Sequence, residues 1–178
     1  MRRIERGGVF WIDAATKVGW AYGMPTWDAP EWGVWQLPDG PDLGRKLVAF
    51  DNALCDAFDK YRPSLFGIEA PLPAGGQTNA HTARMLIGMA AVAEVCAYRW
   101  EVRYVERSST TVRAAVIGRS RRSDEDKAAG LDVKDAIVAP WIKARGWKIS
   151  DHNARDAAVG WAYEIGMRAG APRVTKAA

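Results

Sequence analysis

The chain opens with short runs in which β-branched and aromatic residues crowd together, and only later turns to the three- and four-residue spacing of helices. Residues 8–13 (GVFWID) and 18–24 (VGWAYGM) are two such runs, divided by the small and polar AATK, and they read as a hairpin of strands. A third run, 32–37, follows a Pro-containing loop. Between 42 and 61, Leu43, Leu47, Phe50, Leu54, Phe58 and Tyr61 recur every three or four residues, which predicts a helix stopped at Arg62-Pro63. Residues 64–69 (SLFGIE) read as a short buried strand, and the PLPAGG that follows cannot continue a sheet.

An Ala-rich helix is predicted over 78–98, with Met85, Leu86, Met89 and Val92 spread widely enough around it to serve two buried faces. Residues 102–105 read as the last strand, 110–117 as a helix and 118–130 (GRSRRSDEDKAAG) as an exposed charged loop. Helices over 133–144 and 152–167, joined by RGWKIS, end the pattern. A meander of three strands, then helix, strand, helix, strand, lets the last two strands add in parallel beside the first through right-handed crossovers. The expected fold class is therefore α/β, a mixed five-stranded sheet with helices on both faces in the ribonuclease-H-like arrangement. An actin-like ATPase half-domain has the same order of elements, so fold alone does not decide function.

Composition narrows the class. With 178 residues, 48% of them hydrophobic, one domain spanning 1–178 is expected. Lys and Arg number 25 against 21 Asp and Glu, for a net charge of +4, which permits a polyanionic partner without demanding one. The two cysteines, Cys55 and Cys96, fall on apolar helix faces, which argues against a disulfide framework and against zinc. The basic start MRRIERGG lacks the apolar core of a signal peptide, and no segment reaches the length of a membrane span. A soluble protein of the cytoplasm is expected, with no membrane partner.

Three acids carry the candidate chemistry. Asp13 ends the first strand inside an apolar stretch, where its charge is costly unless compensated; a turn-capping Asp is the plainer alternative. Glu69 ends the fourth strand directly after FGI, a poor place for Glu. In the proposed topology those strands are neighbours, and two unpaired like charges there call for a cation. Asp156 lies a full turn inside the helix of DHNARDAAVGWAYE, among Ala and Val, with no lysine one turn later. Ser150 or Asp151 would cap that helix, and His152 or Asn153 shares a face with Asp156. Carboxylates from two strands and a helix suit Mg²⁺, or Mn²⁺, and such sites commonly hold two ions about 4 Å apart.

Five stretches together bear a resemblance to RuvC-type Holliday-junction resolvases, closest to their compact phage-like versions. GVFWIDAATKVGWAYG resembles their first hairpin, FGIEAPLPAGGQTNAHTARMLIGMAAVAEV their acid-bearing strand, loop and helix, and DHNARDAAVGWAYE their C-terminal acidic helix. VERSSTTVRAAVIG is similar to the segment before their basic loop, and VKDAIVAPWIKARGW to their lysine-bearing helix. The resemblance implies that Asp13 bridges two metal ions, that Glu69 and Asp156 complete the site, and that Lys134 lies beside the acids. Family members usually carry an acid or His three residues before the last Asp. Asn153 stands there in this chain, ligating through a carbonyl oxygen or ceding the place to Asp151 or His152. The implied activity is metal-dependent, structure-selective hydrolysis of four-way or other branched DNA, leaving 5′-phosphate and 3′-hydroxyl ends. Symmetric cutting needs two sites, hence a homodimer, with the long Ala- and Met-rich helix as its interface.

Candidate DNA contacts lie at Gly75, Gly76, Gln77 and Thr78 in the loop after Glu69, at Arg113, and at Arg119, Arg121, Arg122 and Lys127 in the charged segment. An ordinary connection and a solvated loop are their plainer readings. Of the nine Trp, Trp11, Trp20, Trp35, Trp141 and Trp161 read as core, whereas Trp27 and Trp32 need not be buried. Three other functions compete. An ATP-using fold would want Gly where Ala15 stands; a non-cleaving binder of branched nucleic acid would have lost a ligand at Asn153; an RNA-directed nuclease would share the same acids.

Overall fold

Side-chain parity in the central strands decides which residues meet at the site, and it follows from the sheet order. The structure, a computed structural model, describes residues 7–71 and 79–168. Strands β1 (Val9–Asp13), β2 (Lys17–Gly23), β3 (Glu31–Gln36), β4 (Leu65–Glu69) and β5 (Arg103–Arg107) lie in the order β3-β2-β1-β4-β5. The first three form an antiparallel meander, and β4 and β5 add in parallel beside β1. This is the expected ribonuclease-H-like sheet. Phe10 and Ile12 of β1, with Phe66 and Ile68 of β4, face helices α1 (Leu43–Tyr61) and α2 (Ala80–Arg99). Val9, Trp11 and Leu65 face the opposite layer, made by α3 (Ser109–Ile117), α5 (Ala139–Ala144) and α6 (His152–Arg168).

The first face is an aromatic core. Phe10 is fully buried, with the rings of Trp20 and Trp35 stacked on it at 5.7 and 5.9 Å and Phe58 edge-on at 6.1 Å. Trp11 and Trp161 are buried and Trp20, Trp32 and Trp35 half-buried, while Trp27 is 38% exposed with its ring edge-on to Tyr22. Cys55 and Cys96 are free thiols 4.0 Å apart between α1 and α2, and burial pushes Cys96 up to about 12. Among the described residues, no helix is long and apolar enough to cross a membrane.

On the second face, α6 lies directly on the sheet because glycines remove the side chains that would hold it off. A Cβ at Gly19 would sit 2.1 Å from the backbone carbon of Asn153, and one at Gly160 would sit 2.1 Å from the Trp11 indole nitrogen. Ala154, Ala157 and Ala158 complete the small-residue stripe. Since Gly19 is also the register partner of Asp13, this close approach brings the first turn of α6 beside that carboxylate.

Two segments depart from the sequence pattern. The stretch expected as a charged loop contains a helix, α4 (Asp124–Ala128), whose start is a capping box: Ser123 Oγ accepts from Asp126 N at 3.1 Å, and Asp126 Oδ2 from Ser123 N at 2.8 Å. The charge run masked that signal. The helix expected over 133–144 begins as a π-helical turn, Lys134–Val138, before α5. Pro140 explains the widening: it has no N–H for the carbonyl of Ala136, four residues back, and Arg119 donates to that oxygen instead at 2.6 Å.

Replacing Gly19 by Ala should therefore cost about 3 kcal/mol, because the new carbon meets backbone that cannot rotate away. Gly166→Ala, in the same helix with open space around it, should be neutral or gain up to ~1 kcal/mol. Paired thermal melts check both; equal melting temperatures would contradict the close approach.

Candidate active site

Strand parity places Asp13 and Glu69 at one end of the sheet. Asp13 follows Trp11 by two positions and Glu69 follows Leu65 by four, so both belong to the α6 face. The parallel register pairs Ile12 with Ile68, one residue before each acid. Asp156 comes from the second turn of α6, and Asp13 and Asp156 are each only 7% exposed.

The acids are not left as bare like charges, which corrects the expectation that they are uncompensated. Lys134, from the π-helical turn, donates to Asp13 Oδ2 at 3.0 Å and to Asn153 Oδ1 at 2.7 Å, and its Nζ lies 3.0 Å from Asp156 Oδ2. Arg113, from α3, donates to Asp156 Oδ1 at 3.0 Å. The long side chain of Lys134 reaches the site from another element, a contact that spacing within α6 could not reveal. Arg113, counted above among DNA contacts, is 13% exposed and has its guanidinium committed here.

Compensation is incomplete. Burial, with the Asp13 charge second, pushes Glu69 up to about 7, although Ser109 and Arg113 pull the other way. Burial also raises Asp13 despite Lys134. Desolvation alone would lower the Lys134 ammonium, but Asp13 and Asp156 outweigh it and hold the group above its ordinary range. Asp156 is engaged at both oxygens, Oδ1 by Arg113 and Oδ2 by Lys134 Nζ at 3.0 Å. A buried convergence of carboxylate oxygens, in which burial makes Asp13 and Glu69 reluctant to ionise, fits a hard divalent cation with Asp13, Glu69 and Asp156 as its candidate ligands.

The remaining residues near the first turn of α6 have other work. Asp151 caps the helix, accepting from Asn153 N at 2.9 Å and Ala154 N at 3.1 Å, and pairs with Lys17 Nζ at 2.5 Å. His152 is 55% exposed, with Asp135 at 3.5 Å. Asn153 donates from Nδ2 to the Lys17 carbonyl at 2.6 Å, so its amide is oriented at both ends. Arg119 bonds Asp126 and Ala136, Arg122 the Leu131 carbonyl, and Lys127 pairs with Asp124; Arg121 is exposed. Gly75, Gly76, Gln77 and Thr78 lie outside the described residues.

Sequence reasoning missed a further pair, Arg107 Nε with Glu164 Oε1 at 3.0 Å. Its only signal was a Glu inside the apolar run WAYEIG. Arg107 lines a cavity of about 10 Å³ with Trp11, Glu69, Arg113 and Asp156, room for about one water-sized sphere. Of Lys134, Asp13 and Asp156, the lysine side chain is the most exposed, at 29% against 10 and 5%.

Truncating Arg113 to Met should cost about 3 kcal/mol by stranding Asp156, and Asp156→Asn in the same chain should recover most of it; denaturant unfolding of the single and double variants measures this. The pH dependence follows from Glu69. Its folded value is raised from 4.5 to about 7, so folding takes up protons in that window. Without divalent cations, stability should be fully present below about 4.5 and fall as pH rises through 7, and Glu69→Gln should flatten the slope. A metal-free stability profile that rises across the window would contradict the burial of these acids.

No protein-family model matches the chain. Two curated relatives, the crossover junction endodeoxyribonucleases RuvC of Streptomyces avermitilis and Streptomyces coelicolor, are each 32% identical to it over 102 residues. That alignment takes in 56% of this chain and 54% and 50% of theirs, so the chain spans about half the length of the curated relatives it matches. Among solved structures, T. thermophilus RuvC in complex with Holliday junction substrate superposes with a TM-score of 0.68 at 14% identity, over 94% of this chain and 99% of that one. The yeast mitochondrial Holliday junction resolvase Ydc2 superposes with a TM-score of 0.57 at 13% identity, over 95% and 83%. The chain has the fold of the RuvC-type Holliday-junction resolvases, and proteins of that name are its distant relatives.

Proposed function

We propose that this chain is a divalent-cation-dependent endonuclease that hydrolyses phosphodiester bonds in four-way or other branched DNA. One observation carries the reading: Asp13, Glu69 and Asp156 converge from two strands and a helix on the α6 face, with Lys134 between two of them. Mg²⁺, or Mn²⁺, bound by these oxygens would activate water and offset the charge that develops on the phosphate. The protein's own groups do the rest. Lys134, 29% exposed, gives a phosphate oxygen a fixed positive charge to dock on. Asn153 keeps that ammonium in place through its carbonyl. Trp11 and Val159 wall the deep side and keep bulk water from the acids.

The surroundings are of a size for a polymer. A groove of about 830 Å³ runs beside the first turn of α6, with Lys143, Lys148 and Arg155 among its lining residues, suited to a nucleic-acid backbone. Symmetric cleavage of a junction asks for two such sites, and the outer faces of α1 and α2 offer an interface. There Val48, Ile87, Val95 and Tyr98 are 61, 51, 56 and 87% exposed, around a groove of about 300 Å³ lined by Leu47, Val92 and Val95. A homodimer through this face is part of the proposal.

A second reading, a binder that does not cut, draws support from the pairing of Asp13 and Asp156 with Lys134 and Arg113, which lets the acids persist without catalysis. Cleavage of a labelled four-way junction decides between them, with linear duplex and an RNA–DNA hybrid as controls. Paired nicks on the junction with Mg²⁺, ending in 5′-phosphates, are expected, lost with EDTA and reduced at least ~10³-fold by Asp13→Asn. Tight junction binding with no cutting in Mg²⁺ or Mn²⁺ would replace the nuclease by the binder. Preference for the hybrid would move the substrate to RNA.

A further inference from the structure

Lys134 Nζ stands within 3.0 Å of Asp13 Oδ2, 3.0 Å of Asp156 Oδ2 and 2.7 Å of Asn153 Oδ1. These oxygens come from β1 and the start of α6, the two elements that would have to share an ion lying between them. We infer that the site takes one divalent cation rather than two, the Lys134 ammonium holding the place of the second. The inference rests on the metal-dependent reading proposed above and refines it.

Space gives the first argument. A hard divalent cation binds oxygens at roughly 2.0–2.6 Å and would need at least two of the three oxygens that now surround Nζ. An ammonium and a dication cannot share them, since their repulsion in a buried site is several times that in water. Asp13 offers two oxygens, of which Lys134 takes Oδ2, and Glu69 is its neighbour across the parallel strands. One ion held by Asp13 and Glu69 is therefore compatible with the ammonium where it stands.

Charge gives the second argument. The three carboxylates face two fixed cations, Lys134 and Arg113. Adding one divalent ion and the single negative charge of a phosphodiester brings the cluster to neutrality. A second divalent ion would leave two uncompensated positive charges in a pocket where Asp13 and Asp156 are 7% exposed. Asn153 fits the first account. Its carbonyl faces the ammonium and its NH₂ faces the Lys17 carbonyl, an arrangement that a carboxylate at this position would break by setting oxygen against oxygen. The side chain thus serves as a neutral bridge that seats Lys134, a positioning role.

Counting Mn²⁺ on the full chain tests this apart from activity. Equilibrium dialysis gives the stoichiometry, and electron paramagnetic resonance separates an isolated ion from an exchange-coupled pair about 4 Å apart. Wild type and Lys134→Arg should bind one Mn²⁺ per chain with the spectrum of an isolated ion, whereas Lys134→Met, its fold checked by circular dichroism, should bind two with the coupled spectrum. Two ions on wild type, or one on Lys134→Met, would overturn the inference and leave the nuclease reading standing. No ion on wild type would remove both.

Discussion

Three carboxylates brought into a poorly solvated corner of one protein repel each other strongly, and the local structure on this side of the sheet is arranged around that repulsion. Asp13 and Glu69 arrive there through strand parity, and Asp156 through the seating of α6 on glycines. Balancing charge must come from elements that share no local sequence with them. Arg113 supplies it from α3 and Lys134 from the π-helical turn before α5. That turn owes its shape to Pro140, so a residue without an N–H indirectly sets where the ammonium lies. Glu69 is held up at about 7 by its burial first and by the Asp13 charge second.

The two faces of the sheet divide the labour. The α1 and α2 side carries the close-packed aromatic cluster around Phe10, with no buried acid from β1 or β4. The α6 side accepts a polar network among Trp11, Ala157 and Val159, including Arg107 with Glu164. Asp13, Asp156 and Glu164 are tolerated there because each has a cationic partner, and that pairing limits what else the site can accept. Rigid seating of α6 keeps Asn153 and Asp156 in fixed relation to β1, which is what a site requires to hold an ion or a phosphate at one position.

Much of this was legible beforehand. The β-branched runs and the helical spacing gave the element order, and crossover handedness gave the sheet, since each depends on neighbours in sequence or on a general rule. Asp13, Glu69 and Asp156 stood out because each sits where a charge has no local excuse. The hidden elements were those whose signals overlap with others. The Ser123 cap lay inside a run of charges, and the helix read over 133–144 ran through Pro140 without a break. Arg113 read as a candidate DNA contact, and nothing local signalled its hydrogen bond to Asp156, 43 residues away.

By itself the sequence determined the α/β class and the strands that end in acids, while the place of Lys134 beside them was what the family resemblance implied. Local periodicity and the cost of a lone buried charge are enough for the class and the strands. Only the tertiary structure decided which cation meets which acid, how closely α6 approaches β2, and that Asn153 serves Lys134 and the Lys17 carbonyl together. Those contacts join residues from 19 to 136 positions apart, and they depend on distances of a few ångströms that no pattern along the chain encodes.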